Sequence, residues 1–509
     1  MIRVRGFLGR LRWVHLAPVL ALLAVSAWAF ASPVGAAPDD DYHLVSIWCA
    51  NGGSSKCGPG ATDDVREISN EFRYVICYVQ DHEESADCQD SGWSGSREGT
   101  FETARGNFTG EYPPVYYAVM RVFAGDDLQV SALVMRLFNA ALFVGLATAL
   151  WLLVPLRRRT LMWAWLVTLI PLGVFVVASN NPSGWAVAGV GSAFLALLGW
   201  FETDGRRRWG LAALYIVSVV MAAGARADSA VYVAGATIAA AVITVEWTRG
   251  WGLRAILPAA GMLIAVLLFF TGAQSGVATH GFTANDGAPG TTNPDNGAEG
   301  LSGATLLAYN LLQLPFLWTG VWGSWALGWF DTTMPAIVLW AAVAAFIVVA
   351  FAGLGRLTWR KAIAVAGVLL VLVVLPPVVL TAGGDMVGDQ LQPRYLLPLI
   401  VLLAFVLVTE PPGGPITFTR IQTFAILGAL ALANFVALHV NIRRYVTGID
   451  HQGLNLDAGA EWWWNGFPLG PTAVWLFGAF AYAGLLAVLW PQLRRARQTT
   501  KTVSARVDA

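Results

Sequence analysis

The chain has 509 residues, of which 56% are hydrophobic and only 13% charged. A soluble protein carries roughly 25% charged residues, so a water-soluble globular fold is excluded. Lys plus Arg and Asp plus Glu stand at 32 each, which removes any bulk electrostatic pull toward nucleic acid. Apolar runs of about 20 residues recur along the chain, as polytopic α-helical membrane proteins require.

Arg3, Arg5, Arg10 and Arg12 precede a first apolar run, about 14–31. Basic residues ahead of a first span place the N-terminus in the cytoplasm. The same stretch also reads as a signal peptide, with Ala-Phe-Ala and Gly-Ala-Ala as cleavage sites. Residues 1–35 are read as this N-terminal segment and first transmembrane helix, and 36–127 as an extracytoplasmic loop domain. All four cysteines, Cys49, Cys57, Cys77 and Cys88, lie in that loop. An even set confined to one polar segment implies two disulfides in an oxidising compartment, with the pairing open. Zinc is the rival reading, but no C-x-x-C pair is present. Near the end of the loop, Pro113 and Pro114 block a regular helix before aromatic residues return the chain to the membrane.

Residues 128–490 form the polytopic domain. Basic clusters assign inner ends: 131–155 runs in to Arg157–Arg159, 184–201 to Arg206–Arg208, 229–245 to Arg249 and Arg254. The runs 161–178, 209–224 and 255–272 lead outward, the last to a Gly/Asn/Thr-rich loop, 273–303. A full crossing by 304–330 would put Arg356, Arg360 and Lys361 outside and invert every later basic end. That stretch is therefore read as interfacial, with Trp318, Trp322, Trp325 and Trp329 at helical spacings forming one aromatic face. Residues 334–354 and 394–409 run inward, the latter to a Pro/Gly loop, 411–415. Residues 362–380 and 421–440 run outward. The span 471–490 ends in a basic cytoplasmic tail, 491–509. The total is about 12 spans with both termini cytoplasmic.

On this topology the unusual polar residues collect at outer helix ends. They are Asp39, Asp40, Asp41, His43, Asn180, Asn181, Arg226, Asp228, Asp385, Asp389, Gln390, Gln392, Arg394 and Tyr395. Carboxylates at a membrane edge are functional candidates unless they only solvate a helix exit. The asymmetry points to a site at the outer face, reached sideways by a lipid-bound molecule. Sugar transfer from a polyprenyl phosphate needs a carboxylate to accept the acceptor's proton, for which Asp39 or Asp40 is the candidate. It needs cations on the leaving phosphate, for which Arg226 and Arg394 are candidates. Asp41, His43, Tyr112, Asn181, Asp228, Gln390, Gln392 and Tyr395 are candidate substrate-binding residues. Each has a plainer reading: Arg226 as a headgroup anchor, Arg394 paired with Asp389, His43 as polar packing, Asn181 as a helix terminator before Pro182. Three aspartates beside a histidine could also bind a divalent cation; no other cofactor is implied.

Pro38-Asp39-Asp40 with His43 resembles the Pro-Asp-Glu-x-x-His signature of the bacterial membrane-protein family called domain of unknown function 2142. Tyr112-Pro113-Pro114-Val115-Tyr116-Tyr117, Asn181-Pro182, Arg226-x-Asp228 and Gln390-x-Gln392-x-Arg394-Tyr395-x-x-Pro398 follow that family's pattern in the same order, over residues 14–490. Asp40 stands where Glu is expected, and Pro393 where Gly is expected. The family is similar to the GT-C glycosyltransferases. That resemblance implies an inverting transferase with Asp39 or Asp40 in the acidic-motif role, a polyprenyl-phosphate-linked sugar donor and a cell-envelope glycan acceptor in a bacterial plasma membrane. A transporter or flippase for lipid-linked glycans would instead need ionisable residues through the midplane. A non-catalytic assembly subunit would tolerate loss of the aspartates.

Overall fold

The computed structural model describes residues 13–90, 99–273, 301–355, 357–410, 416–464 and 467–494. Arg3, Arg5, Arg10, Arg12, Arg356, most of the 273–303 loop, the 411–415 loop and the tail beyond Arg494 lie outside them. Among the described residues, ten helices are long and apolar enough to cross a bilayer, from Trp13–Phe30 to Pro471–Arg494. The protein is a multi-pass, all-α membrane protein with a disulfide-bonded segment ahead of its second span.

Two helices form the centre. Ser183–Glu202 and Pro393–Val408 are apolar on every side and buried almost throughout, as helices fully surrounded by others must be. Small residues let the first of these be approached closely. A Cβ at Gly189 would sit 2.7 Å from the Ser218 carbonyl, and one at Gly191 within 2.9 Å of Phe405 and Trp165. Where lipid supplies no hydrophobic drive, such close packing holds helices together.

Two stretches depart from single helices. Residues 161–178 divide into Arg158–Thr168 and Leu172–Val177, because Pro171 has no N–H to continue the ladder. In 304–330 the helix Gly303–Thr319 gives way to a 3₁₀ turn, and Gly323 adopts a left-handed φ of 104°. The expected single aromatic face therefore does not form: Trp325 and Trp329 lie beyond the helix. Trp322 instead turns inward and donates to the Val167 carbonyl at 2.9 Å. Asn310 donates to the Asp385 carbonyl at 3.0 Å, and Gly320 abuts Pro393. This segment thus meets both the loop that precedes the central helix Pro393–Val408 and the first residue of that helix.

The two ends of the helix assembly differ in chemistry. At one end Arg157 pairs with Glu202, Arg254 with Asp204, Lys361 donates to the Thr409 carbonyl, and Arg159 donates to the Gln492 carbonyl. At the other end sit the disulfide segment and the acidic motif. The segment carries a three-stranded antiparallel sheet, Cys57–Pro59, Arg66–Ser69 and Thr100–Thr103. Its disulfides pair Cys49 with Cys57 and Cys77 with Cys88. Arg444, fully buried, docks this segment by donating to the Tyr78, Asp81 and Glu84 carbonyls and to the Asp331 carboxylate. Because each bridge closes a short loop, replacing Cys77 and Cys88 by serine is expected to destabilise the protein by ~2–4 kcal/mol. Thermal unfolding in detergent checks this; an unchanged midpoint would show that the segment is secured without the Cys77–Cys88 bridge.

Candidate functional site

The site is built on a buried loop, 31–38, between the first span and the helix Asp40–Cys49. Buried backbone groups must find partners, and here distant parts of the chain supply them. Arg136 donates to the Ala29, Ser32 and Pro33 carbonyls, at 3.3, 2.7 and 2.7 Å. Asn441 donates to Ala31, Tyr78 and Gln89 to Val34, Trp329 to Gly35. Asn181 and Arg394 both donate to the Pro38 carbonyl, at 2.8 and 2.9 Å. Gly35 is required where it stands: its φ is 87° and a Cβ would lie 2.1 Å from the Val75 carbonyl.

This clamp delivers Asp39 in a left-handed conformation, φ 61° and ψ 21°. A non-glycine residue is held there only when its surroundings over-determine it, and such residues cluster at functional sites. The three aspartates consequently diverge. Asp39 keeps its side chain 30% exposed and pairs with Arg394 and with Arg105, the latter at 3.3 Å. Asp40 turns inward, fully buried, accepting from the Ala37 N–H at 3.2 Å and facing Arg136 at 3.8 Å. Asp41 pairs with Arg105.

Their acidities separate accordingly. Burial pushes the Asp39 carboxyl up, but the guanidinium charges of Arg394 and Arg105 outweigh it and hold it at about 2. Burial dominates at Asp40 and pushes it up to about 7 against the attraction of Arg136. Burial also depresses His43, which keeps its ring neutral. Its Nδ1 meets the Tyr117 hydroxyl at 2.9 Å, while its Nε2 has no partner among the described residues.

Two arginines converge beside Asp39. Arg226 lies in the extended link between Arg206–Ala225 and Ala227–Thr244. There it grips Asp228 through Nε and Nη2, at 3.0 and 2.9 Å. Its guanidinium lies 4.3 Å from the Tyr395 ring centre and 5.6 Å from that of Tyr112. Arg394, on the first turn of Pro393–Val408, lies 5.0 Å from the same Tyr395 ring and donates to the Tyr395 hydroxyl at 3.0 Å. Two cations thus share one aromatic ring, and each retains a buried N–H without a partner among the described residues: Nη1 of Arg226 and Nε of Arg394. Unpaired buried donors of like charge are costly, so this corner is poised for an anion.

The remaining candidates occupy the surroundings. Asn181 acts on the loop rather than on open space. Gln392 is the residue before the Pro393–Val408 helix, and its side-chain amide oxygen is buried without a partner among the described residues. Gln390 lies in the preceding loop. Asp389 does not pair with Arg394 but accepts from the Met386 N–H at 2.8 Å. Burial, with Asp389 nearby, pushes the Asp385 carboxyl up to about 6. Among the described residues no group of three or more His, Cys, Asp and Glu side chains gathers as a metal site.

The sequence reading missed Arg105 and Arg136, and named Tyr117 only as part of the Tyr112–Tyr117 motif, without a role. Arg136 carries a readable signal, a lone cation within the apolar run 128–153. Arg105 carries none, since it is one charge among many in a polar segment.

Residues 22–403, most of the chain, match the family described as "Predicted membrane protein (DUF2142)". Neither the curated proteins nor the solved structures contain a match.

Proposed function

This chain belongs to the DUF2142 family of membrane proteins, and we propose that its Asp39–Arg394–Arg226 cluster is the active site of an inverting glycosyltransferase of GT-C type. In this reading the enzyme uses a polyprenyl-phosphate-linked sugar and works at the outer face of a bacterial plasma membrane, with its basic end in the cytoplasm. The acceptor is a cell-envelope glycan or lipid. The observation that carries the reading is the pair of guanidiniums over Tyr395, each with a donor to spare, beside a partly exposed carboxylate.

In the proposed step the donor's phosphodiester oxygens take the unpartnered N–H groups of Arg226 and Arg394, whose side chains turn to expose them as the donor enters. The acceptor hydroxyl oxygen attacks the anomeric carbon from the face opposite the phosphate. The bond from that carbon to the phosphate oxygen breaks, and its electron pair leaves with the polyprenyl phosphate, stabilised by the two arginines. The hydroxyl proton passes to Asp39. A slot bounded by Leu172, Phe175, Trp325 and Phe330 lies beside Arg394, with a volume of about 20 Å³ that admits about one water and no isoprenoid chain. Asp39 is favoured over Asp40 as the base because Asp40 has no exposure.

Asp39 held at about 2 is a poor base in the empty protein. Arg394 cannot serve two anions in full, so the arriving phosphate weakens its grip on Asp39. The carboxyl then rises toward the ordinary aspartate value of about 3.9. The acid limb of kcat, which reports the complex, is therefore expected at higher pH than that of kcat/KM, which reports the free enzyme. Coincident acid limbs would exclude the exchange.

The test is transfer of labelled sugar from a panel of polyprenyl-phosphate donors by purified protein, with and without a divalent cation. Turnover lost on chelation would add a cation to the site. No turnover with any donor would turn the question to translocation of lipid-linked glycans, measured in liposomes.

A further inference from the structure

A second cavity lies at the basic end, away from the acidic motif. It has a volume of about 940 Å³ and opens between the ends of Ser183–Glu202, Ala227–Thr244, Trp359–Gly383 and Pro393–Val408. Its walls are of two kinds. Leu156, Phe201, Ile243 and Trp251 make one side apolar, with the Phe201 and Trp251 rings stacked at 5.2 Å. Arg157, Arg254, Arg360 and Lys361 line the same cavity.

The bordering carboxylates pair with two of these cations and, among the described residues, leave Arg360 and Lys361 without an ion pair. Glu202 is held bidentately by Arg157, at 3.0 and 2.5 Å. Glu246 is exposed at the rim, and Glu410 completes the border. Arg254 is engaged by Asp204 and the Phe201 carbonyl. Two cations keep donors open. Lys361 is 2% exposed and donates to the Gly353 and Thr409 carbonyls, at 2.9 and 3.1 Å. An ammonium has three N–H groups, so one is left. Arg360 has a buried Nε without a partner among the described residues.

We propose that this cavity binds the phosphate of an anionic membrane phospholipid, with Lys361 and Arg360 as its donors and the aromatic wall against its acyl chains. A desolvated ammonium beside a free guanidinium donor recognises phosphate. Apolar walls at the same opening select a ligand that carries hydrocarbon. The exposed Trp247 and Trp359 at this end mark the level at which headgroups lie. The inference is independent of the transfer reaction, since it uses none of the residues of the acidic cluster.

The experiment is native mass spectrometry of the full-length protein in detergent with three probes: phosphatidylglycerol, phosphatidylcholine and inorganic pyrophosphate. Phosphatidylglycerol is expected to bind about tenfold more tightly than phosphatidylcholine, whose choline brings a cation to a cationic wall. Arg360→Ala and Lys361→Met are each expected to weaken phosphatidylglycerol binding by about tenfold. Asp39→Asn should leave it unchanged. Arg360→Ala is the deciding variant, because its side chain is only partly buried and its loss spares the packing; a thermal scan verifies the fold. Equal binding of the two lipids, or full binding by a folded Arg360→Ala, overturns the proposal. Pyrophosphate binding without lipid binding also overturns it and assigns the cavity to a soluble phosphate ligand.

Discussion

Asp39→Asn is expected to lower sugar transfer by ~10²–10⁴-fold, the range spanned by removal of a general base. Donor binding and the fold should survive. Asparagine is chosen because Asp39 sits at φ 61°, a conformation that Asn tolerates about as well as Asp and alanine does not. The amide oxygen can still accept from Arg394, so the change removes charge and basicity with little else. The loss should fall on kcat rather than KM, because the phosphate contacts belong to the arginines. Asp40→Asn, by contrast, touches nothing in open space and should act on stability alone. A folded Asp39→Asn protein with undiminished transfer would remove Asp39 from the chemistry. The non-catalytic assembly reading would then gain.

The largest expected loss of stability is Arg136→Met. Arg136 is 1% exposed, satisfies two carbonyls of the 31–38 loop and that of Ala29 just before it, and faces Asp40. Removing one partner of a buried pair costs about 3–5 kcal/mol, because the other charge is stranded. Adding Asp40→Asn to Arg136→Met should recover part of that, and the double-mutant cycle measures how much. The lost carbonyl contacts should stay lost. Thermal unfolding of the four proteins in one detergent is sufficient, and an Arg136→Met midpoint equal to wild type would refute the clamp.

The same pair sets a pH dependence. The Asp40 carboxyl is raised from 3.8 to about 7 on folding, so the folded state binds its proton more tightly than the unfolded state. Its contribution is complete below pH 3.8 and is lost as pH rises through about 7. Asp40→Asn should flatten that slope. Asp39 behaves in the opposite sense. Its depressed value contributes stability above 3.8 that is lost as pH falls toward about 2.

The sequence by itself determined the class of this protein. A bilayer admits only spans of about 20 apolar residues with their backbones internally bonded, so composition and period were enough to find the helices. Basic clusters were enough to separate one set of ends from the other. Confinement of Cys49, Cys57, Cys77 and Cys88 to one segment was enough to imply two disulfides. The reading of 161–178 as one run missed the break at Pro171, because a proline inside an apolar run can also kink a helix without ending it. Only the tertiary structure decided which aspartate does what. Asp39, Asp40 and Asp41 are adjacent and chemically alike, yet one left-handed residue at the head of a helix sends their side chains to Arg394, Arg136 and Arg105. Two of those partners lie some hundred or more residues away, and no local pattern records a pairing whose ends meet only after the helices pack. The convergence of Arg226 and Arg394 on Tyr395 is of the same kind: each motif was visible alone, but their shared ring exists only where two helix ends are brought together.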